Sequence, residues 1–439
     1  MPEIISLLLC LEPHLSSISL RQMRHLVFAM LCSPHRATML GLSRWTEKGG
    51  SYRTLQRLYQ TPINWLTIHW TLLQTHLLRS DGLYLLAGDE VVVSKAGKKT
   101  HGVGRFYSGL AQRVIPSVSF LAISLIDVQA RRSYPLHIEQ ILPSPANDKP
   151  ATTQAKRKLG RPKGSKNHVK PDPVLSPILQ LLQGMLGTLQ AQIAHLQVKH
   201  LLLDGKFGNY PSTWTVLQSG LHIISKMRHD AALYLPYAGD KPPRGSTPRY
   251  GDKLNTAQLP SDALISSRID GHYRIDTYQM QVYHKDYPDL LNVVVVVKTH
   301  LTADKRGHVV LFSTDLELSA AQIVDYYSLR FQIEFNFRAA KQYWGLEDFM
   351  NVKPIAVTNA VNLAFLMVNL SQAMLKPYRE HDPNFSVLDL KAQFRARRYL
   401  NETIKMLPEM PKPDLISRIW RRLTRFGSIR TRPIDDFAA

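Results

Sequence analysis

The sequence is short of the residues that mark several protein classes. Its two cysteines, Cys10 and Cys32, lack the paired spacing of a zinc site and read as small buried hydrophobes in a reducing compartment. No apolar run reaches the roughly 18 residues a membrane-spanning helix needs, so no membrane segment is expected. Glu3 precedes the apolar stretch 4–11 and Glu12-Pro13 ends it, which is not the pattern of a secretory leader. A cytoplasmic protein is therefore expected. Acid is scarce as well: 34 Asp and Glu stand against 55 Lys and Arg, a formal net charge of +21 over 439 residues. From Val91 to Ile126 there is no acid at all. Such a surplus says little about fold. It favours a polyanionic partner, nucleic acid first and an anionic membrane surface second.

What is present divides the chain by periodicity. Residues 1–80 carry apolar positions at three-to-four spacing, through Leu20, Met23, Leu26 and Val27 and again through Leu55, Leu58, Trp65, Ile68 and Leu72. They read as a helical unit that either contacts DNA or only packs. From 81 to 226 the period changes. Leu83–Asp89 and His200–Asp204 are short apolar runs ending in an acid, as buried strands with a carboxylate at the carboxyl end would be. Ser117–Asp127, Ser133–Leu142 and Leu221–Lys226 supply further strands, and 174–197 a helix. A proline-rich stretch, 143–173, interrupts this part. Residues 227–318 hold turn signals and β-type runs, Tyr273–Tyr283 and Leu291–Lys298, and read as a β-rich insertion. Ser319 and Gln322 have the spacing of a capping box that opens a helix running to about Trp344, within a segment 319–350. Residues 351–439 form a helical, basic tail.

The helix from Ser319 carries the strongest local signal. At about 100° per residue, Tyr327, Arg330, Glu334, Arg338 and Lys341 fall within roughly an 80° arc. The rest of the helix is apolar, with Phe331, Ile333, Phe335, Phe337 and Trp344, and is expected to be buried. Ion pairs at i,i+4 would explain the stripe equally simply. A single acid among fixed cations, however, also suits a metal ligand facing phosphates. Strand-end acids such as Asp89 and Asp204 gather at the open edge of an α/β sheet. Together with Glu334 they make an oxygen-only site of the kind Mg²⁺ or Mn²⁺ prefers, and two such ions can promote in-line phosphoryl displacement.

Tyr327-x2-Arg330-x3-Glu334-x6-Lys341 resembles the signature of bacterial DDE transposases of the insertion-sequence-four superfamily. Asp89 and Asp204 stand where that family has its first two acids, with a β-rich insertion before the Glu. The resemblance covers roughly residues 80–350. It implies an RNase H-like α/β catalytic core interrupted by the insertion, with helical N- and C-terminal regions. It also implies Mg²⁺ (or Mn²⁺) dependence, catalysis by Asp89, Asp204 and Glu334, and action on the terminal inverted repeats of a mobile element. Tyr327, Arg330 and Lys341, with Arg338 on the same stripe, would hold DNA phosphates. Double-stranded DNA is the implied partner, a homodimer is expected in the complex, and the setting would be the bacterial nucleoid. One departure concerns a tryptophan that some members use to stack a flipped base: no Trp lies between Trp214 and Trp344, so Tyr250 or Tyr273 would have to serve.

Two basic segments suit a DNA enzyme. Lys98, Lys99 and Arg105 follow the first acid among Gly97, Gly102 and Gly104, where backbone could approach phosphates; a flexible basic hairpin explains them too. Residues 156–166, with Arg161 and Lys163, resemble an AT-hook in which Leu159 replaces the usual Arg, and a charged linker is the simpler reading. The function expected is strand cleavage and transfer at transposon ends. The alternatives are an RNase H-like nuclease that does not join strands and a non-catalytic DNA-binding regulator.

Overall fold

The computed structural model describes residues 2–46, 49–109, 111–143, 172–243, 245–303 and 305–424. The segment 156–166, with Arg161 and Lys163, lies outside them, as does Arg425.

Five helices come first: α1 (Pro2–Leu8), α2 (Ser17–Cys32), α3 (Met39–Ser43), α4 (Tyr52–Gln60) and α5 (Trp65–His76). Their starts follow from local chemistry. Ser16, Thr38, Ser51 and Asn64 each accept a backbone N–H at the first turn, satisfying donors that the helix itself cannot. The strands β1 (Tyr84–Ser94), β2 (Gly104–Ser108), β3 (Arg113–Asp127) and β4 (Arg132–Ile141) follow, then α6 (Pro177–Ile193), β5 (His200–Leu203), α7 (Tyr210–Gln218) and β6 (His222–Lys226). The β-type region supplies β7 (Leu233–Pro236), β8 (Tyr250–Lys253), β9 (Leu264–Asp270), β10 (Tyr273–His284), β11 (Leu291–His300) and β12 (Arg306–Ser313). The chain closes with α8 (Ala320–Leu329), α9 (Gln332–Tyr343), α10 (Pro354–His381), α11 (Val387–Lys405) and α12 (Pro413–Leu423). The fold is mixed α/β, a large mixed sheet with helices at both ends of the chain.

Twelve strands share that sheet, in the order β2-β3-β1-β5-β6-β12-β11-β10-β7-β8, with β4 beside β3 and β9 beside β10. β1 runs antiparallel to β3 and parallel to β5, and β5 runs parallel to β6. The strands read from 227–318 are not a detached unit. Leu311–Ser313 of β12 pair with Ile224–Lys226 of β6 and continue the sheet.

Two apolar clusters sandwich the central strands. One joins the N-terminal helices, α9 and α10 to alternate residues of β1, including Leu85, Ala87, Val91 and Val93. The other packs α6 against the opposite face, through Tyr84, Leu86, Leu201 and Leu203. Burial on both faces is why β1 and β5 read as apolar runs without alternation. α10 is long and apolar enough to cross a membrane, but 83% of its apolar window is buried inside the protein, where it is a core helix. Trp65 on α5 donates its indole N–H to Asn359 of α10 at 2.7 Å, tying the first helices to that core.

Candidate active site

The first two acids become neighbours through strand register. Gly88 of β1 pairs with Leu203, the last residue of β5, so the next residues, Asp89 and Asp204, stand side by side where β5 ends. Gly88 leaves room for the Leu203 side chain, whose Cδ2 would lie 2.8 Å from a Cβ there. Asp204 ends its strand as expected, but Asp89 does not. β1 continues to Ser94 because β3 pairs with it over its whole length. Asp89 is thus a mid-strand residue exposed by the early end of a neighbour.

Glu334 arrives from the other side. Sequence periodicity predicts one helix from Ser319 to Trp344. The capping box is present, with Ser319 accepting from Gln322, but the helix breaks at Arg330 and Phe331. There the N–H groups of Arg330 and Phe331 reach back three residues, to Tyr327 and Ser328, and the turn tightens. Glu334 consequently lies in the first turn of α9, where the helix dipole favours an anion. Buried Asn336 donates to Ser133 at 2.8 Å and to Ser124 at 3.3 Å, locking α9 to the sheet.

Arg330, at the break, joins the parts. Its guanidinium donates to Asp89 at 3.0 Å and to Glu334 at 3.0 Å, and it is only 13% exposed. Burial raises the Asp89 carboxyl to about 6, opposed by the Glu90 backbone N–H and Arg330 and reinforced by Asp204 and Glu334. Burial alone would loosen the proton of Arg330, but Asp89, Asp204, Tyr327 and Glu334 outweigh it and hold the guanidinium charged. Burial also raises the Tyr327 phenol; Arg330 opposes this, while Asp204 and Asp89 add to it. Three acids remote in sequence, Arg330 and Tyr327 therefore form one electrostatic group.

The remaining expected residues separate. Lys341 donates to the Val92 carbonyl at 2.9 Å and pairs with Glu347 at 3.1 Å, so its ammonium is engaged along the rim of β1. Exposed Arg338 lies 5.2 Å from the Phe335 ring. Phe335 and Phe331 are 43% and 46% exposed and meet edge to face, a correction to the expectation that the helix is buried on every side but its stripe. Lys98 and Lys99 are exposed on the connection between β1 and β2, and Arg105 is exposed on β2. Gly102 and Gly104 have internal reasons, since Cβ atoms there would strike Gln140 and Pro143. Tyr250 sits at the far end of the sheet against Tyr234 and Tyr283, whereas Tyr273 packs on His300.

Sequence reasoning passed over Glu90 and Lys206. Glu90 accepts from Lys206 at 2.5 Å and from Ser119 at 2.7 Å. Their places in sequence, Glu90 next to Asp89 and Lys206 two residues after Asp204, were the available signal. A cavity of about 1030 Å³ opens elsewhere, around His200 and Asp315.

Residues 10–282 match the family model of the DDE superfamily endonucleases. The match spans more than half of the chain, and the protein belongs to that family. It takes in Asp89 and Asp204 and stops before Glu334. No curated protein matches the chain. Membership makes this a nuclease or transposase-type enzyme with DNA as its substrate, in a family that generally uses divalent metals.

Proposed function

We propose that this chain is a DNA transposase of the insertion-sequence-four type, which cleaves the terminal inverted repeats of a mobile element and joins the freed 3′ ends to target DNA. The observation that carries the reading is Arg330, bound at once to Asp89 and Glu334 beside Asp204. The strand sequence β4-β3-β1-β5-β6, antiparallel through the first three and parallel through the last three, supports an RNase H-like core.

The donor set fits a hard divalent cation. Asp89, Asp204 and Glu334 offer only oxygen, and the burial that lifts Asp89 marks a place where extra positive charge is favourable. Among the described residues no three acidic, histidine or cysteine side chains are grouped closely enough to hold an ion, and Arg330 occupies one oxygen each of Asp89 and Glu334. Loading therefore requires the guanidinium to release a carboxylate. Mg²⁺ or Mn²⁺ held by the three acids would supply activation of the attacking hydroxyl and charge stabilisation at the leaving oxygen.

The protein's own groups do the rest. Released from Asp89, the fork of Arg330 suits two oxygens of one phosphate, and the Tyr327 hydroxyl can donate to a third. Lys341 holds β1 to α9 and thereby fixes the distance from Asp89 to Glu334. Lys98, Lys99, Arg105 and Arg338 face solvent as duplex contacts, and a homodimer would bring two ends together.

A labelled terminal-repeat duplex tests the reading. Mg²⁺-dependent nicking followed by joining to a second duplex is the expected result. Nicking without joining would instead identify a plain nuclease, and binding without nicking a regulator.

A further inference from the structure

Asp89 is followed by a second acid whose side chain points to the opposite face of β1. The Glu90 Oε1 accepts from Ser119, which is fully buried, and its Oε2 accepts from the Lys206 ammonium at 2.5 Å. The Glu90 backbone N–H also donates to the Asp89 carboxylate at 2.8 Å. Lys206 stands two residues after Asp204, in the short turn Gly205–Phe207 that Asp204 opens. That turn is held to β6 in two ways. Ser225 donates to the Asp204 carbonyl at 3.1 Å, and Gly208 packs where a Cβ would run into the Lys226 carbonyl. Towards β1 the ladder ends at Gly88 and Leu203. Beyond that pair the Glu90–Lys206 contact spans the gap between the strands.

We propose that Glu90 and Lys206 are positioning residues that set the separation of Asp89 and Asp204 for divalent-cation binding. The inference rests on the carboxylate site proposed above. Two ionised carboxylates at adjacent strand positions repel, and the ladder between β1 and β5 stops at Gly88 and Leu203, just before them. A charge pair directly behind them, one residue from Asp89 and two from Asp204, opposes that repulsion. Lys206 is 59% exposed, so the pair adds little to global stability. Its effect belongs in metal affinity, where partners behind the ligands commonly matter by about 10- to 100-fold.

Isothermal titration of the full-length chain with Mn²⁺, beside melts without metal, tests this in Glu90→Gln, Lys206→Met and the double variant. Each single change should weaken Mn²⁺ binding by about tenfold, and the double variant should be no worse, because both remove one tie. Melts should stay close to wild type. Should Glu90→Gln fold poorly through its Ser119 contact, the exposed Lys206→Met decides alone. Asp204→Asn is the control for the site itself. If it abolishes Mn²⁺ binding while Lys206→Met leaves binding unchanged, the positioning role is overturned. Mn²⁺ binding that survives Asp204→Asn overturns the carboxylate site instead.

Discussion

The connection between β1 and β2 and the segment from α8 to α9 are both rich in cations, yet the two sets are placed in opposite ways. On the second, Arg330 and Lys341 are 13% and 19% exposed and their charged groups are bound to carboxylates and a carbonyl, with Arg338 alone of the three exposed. On the first, Lys98 and Lys99 are exposed, as is Arg105 just beyond it in β2. The connection is divided within itself as well. Lys95 donates to the carbonyls of Glu347 and Phe349 and lies 3.3 Å from the Phe349 ring, and burial lowers its ammonium to about 8. A formal charge of +21 is thus not a uniform coat for DNA. Part of it is tied up in internal contacts, and the exposed part lies open to solvent.

The largest effects belong to the acids that the buried cations serve. On the proposed function, Asp89→Asn, Asp204→Asn and Glu334→Gln should each lower Mg²⁺-dependent nicking by at least about 10³-fold, since each would remove a ligand from ions proposed to supply several kcal/mol. Binding to terminal-repeat DNA should persist in gel-shift assays. Substantial cutting by any of the three takes that residue out of the site.

Arg330 comes next. Strand transfer on pre-nicked ends should fall about 100-fold in Arg330→Ala and nearly as far in Arg330→Lys, because an ammonium cannot reproduce bidentate contact. Removing one partner from so buried a pair also costs stability, of order 3–5 kcal/mol, so the lysine variant is the cleaner probe. A folded Arg330→Lys protein with normal transfer would leave the guanidinium as framework only. Tyr327→Phe should be milder than either.

The elevated carboxyl of Asp89 separates function from stability. Its folded value of about 6 lies above the ordinary 3.8, so between those pH values the folded chain holds a proton that the unfolded chain has lost. Stability from this group therefore falls as pH rises from about 4 to 6, and the full cost remains above 6. Asp89→Asn should be more stable than wild type by about 3 kcal/mol at pH 8 without metal, and the gain should vanish near pH 4. Denaturant melts at the two pH values measure it. Equal midpoints at pH 8 would mean that Arg330 fully compensates burial.

Much of this arrangement is legible in the sequence, and the rest fails for identifiable reasons. The runs before Asp89 and Asp204 show buried strands because both faces of those strands are covered. The capping box at Ser319 is a local signal with a local cause. The break at Arg330 is not legible, since Leu329-Arg330-Phe331 contains no helix breaker; at that point a long-range bond from Arg330 to Asp89 accompanies the tightened turn. Periodicity groups Phe331 with the apolar sector but cannot say which edge of that sector meets solvent. The extension of β1 past Asp89 depends on β3, whose pairing is non-local. Glu90 escapes notice because its partner Lys206 is 116 residues away.

The smallest effects should come from the exposed cations, and they test most directly whether the two sets differ. Lys98→Ala, Lys99→Ala and Arg105→Ala should each change stability by no more than about 0.5 kcal/mol, as surface substitutions usually do. If their side chains meet phosphates, each should reduce the slope of log affinity against log salt by about 0.9. Lys95→Met should do the reverse. It removes donors to the exposed carbonyl of Glu347 and the part-buried carbonyl of Phe349, and leaving the second unpaired should cost about 1 kcal/mol, while the salt slope stays near wild type. Four single variants, each melted and titrated with DNA over a range of salt, give the comparison. A changed slope for Lys95→Met with unchanged slopes for the other three would invert the assignment, placing the DNA against the buried rim rather than the open connection.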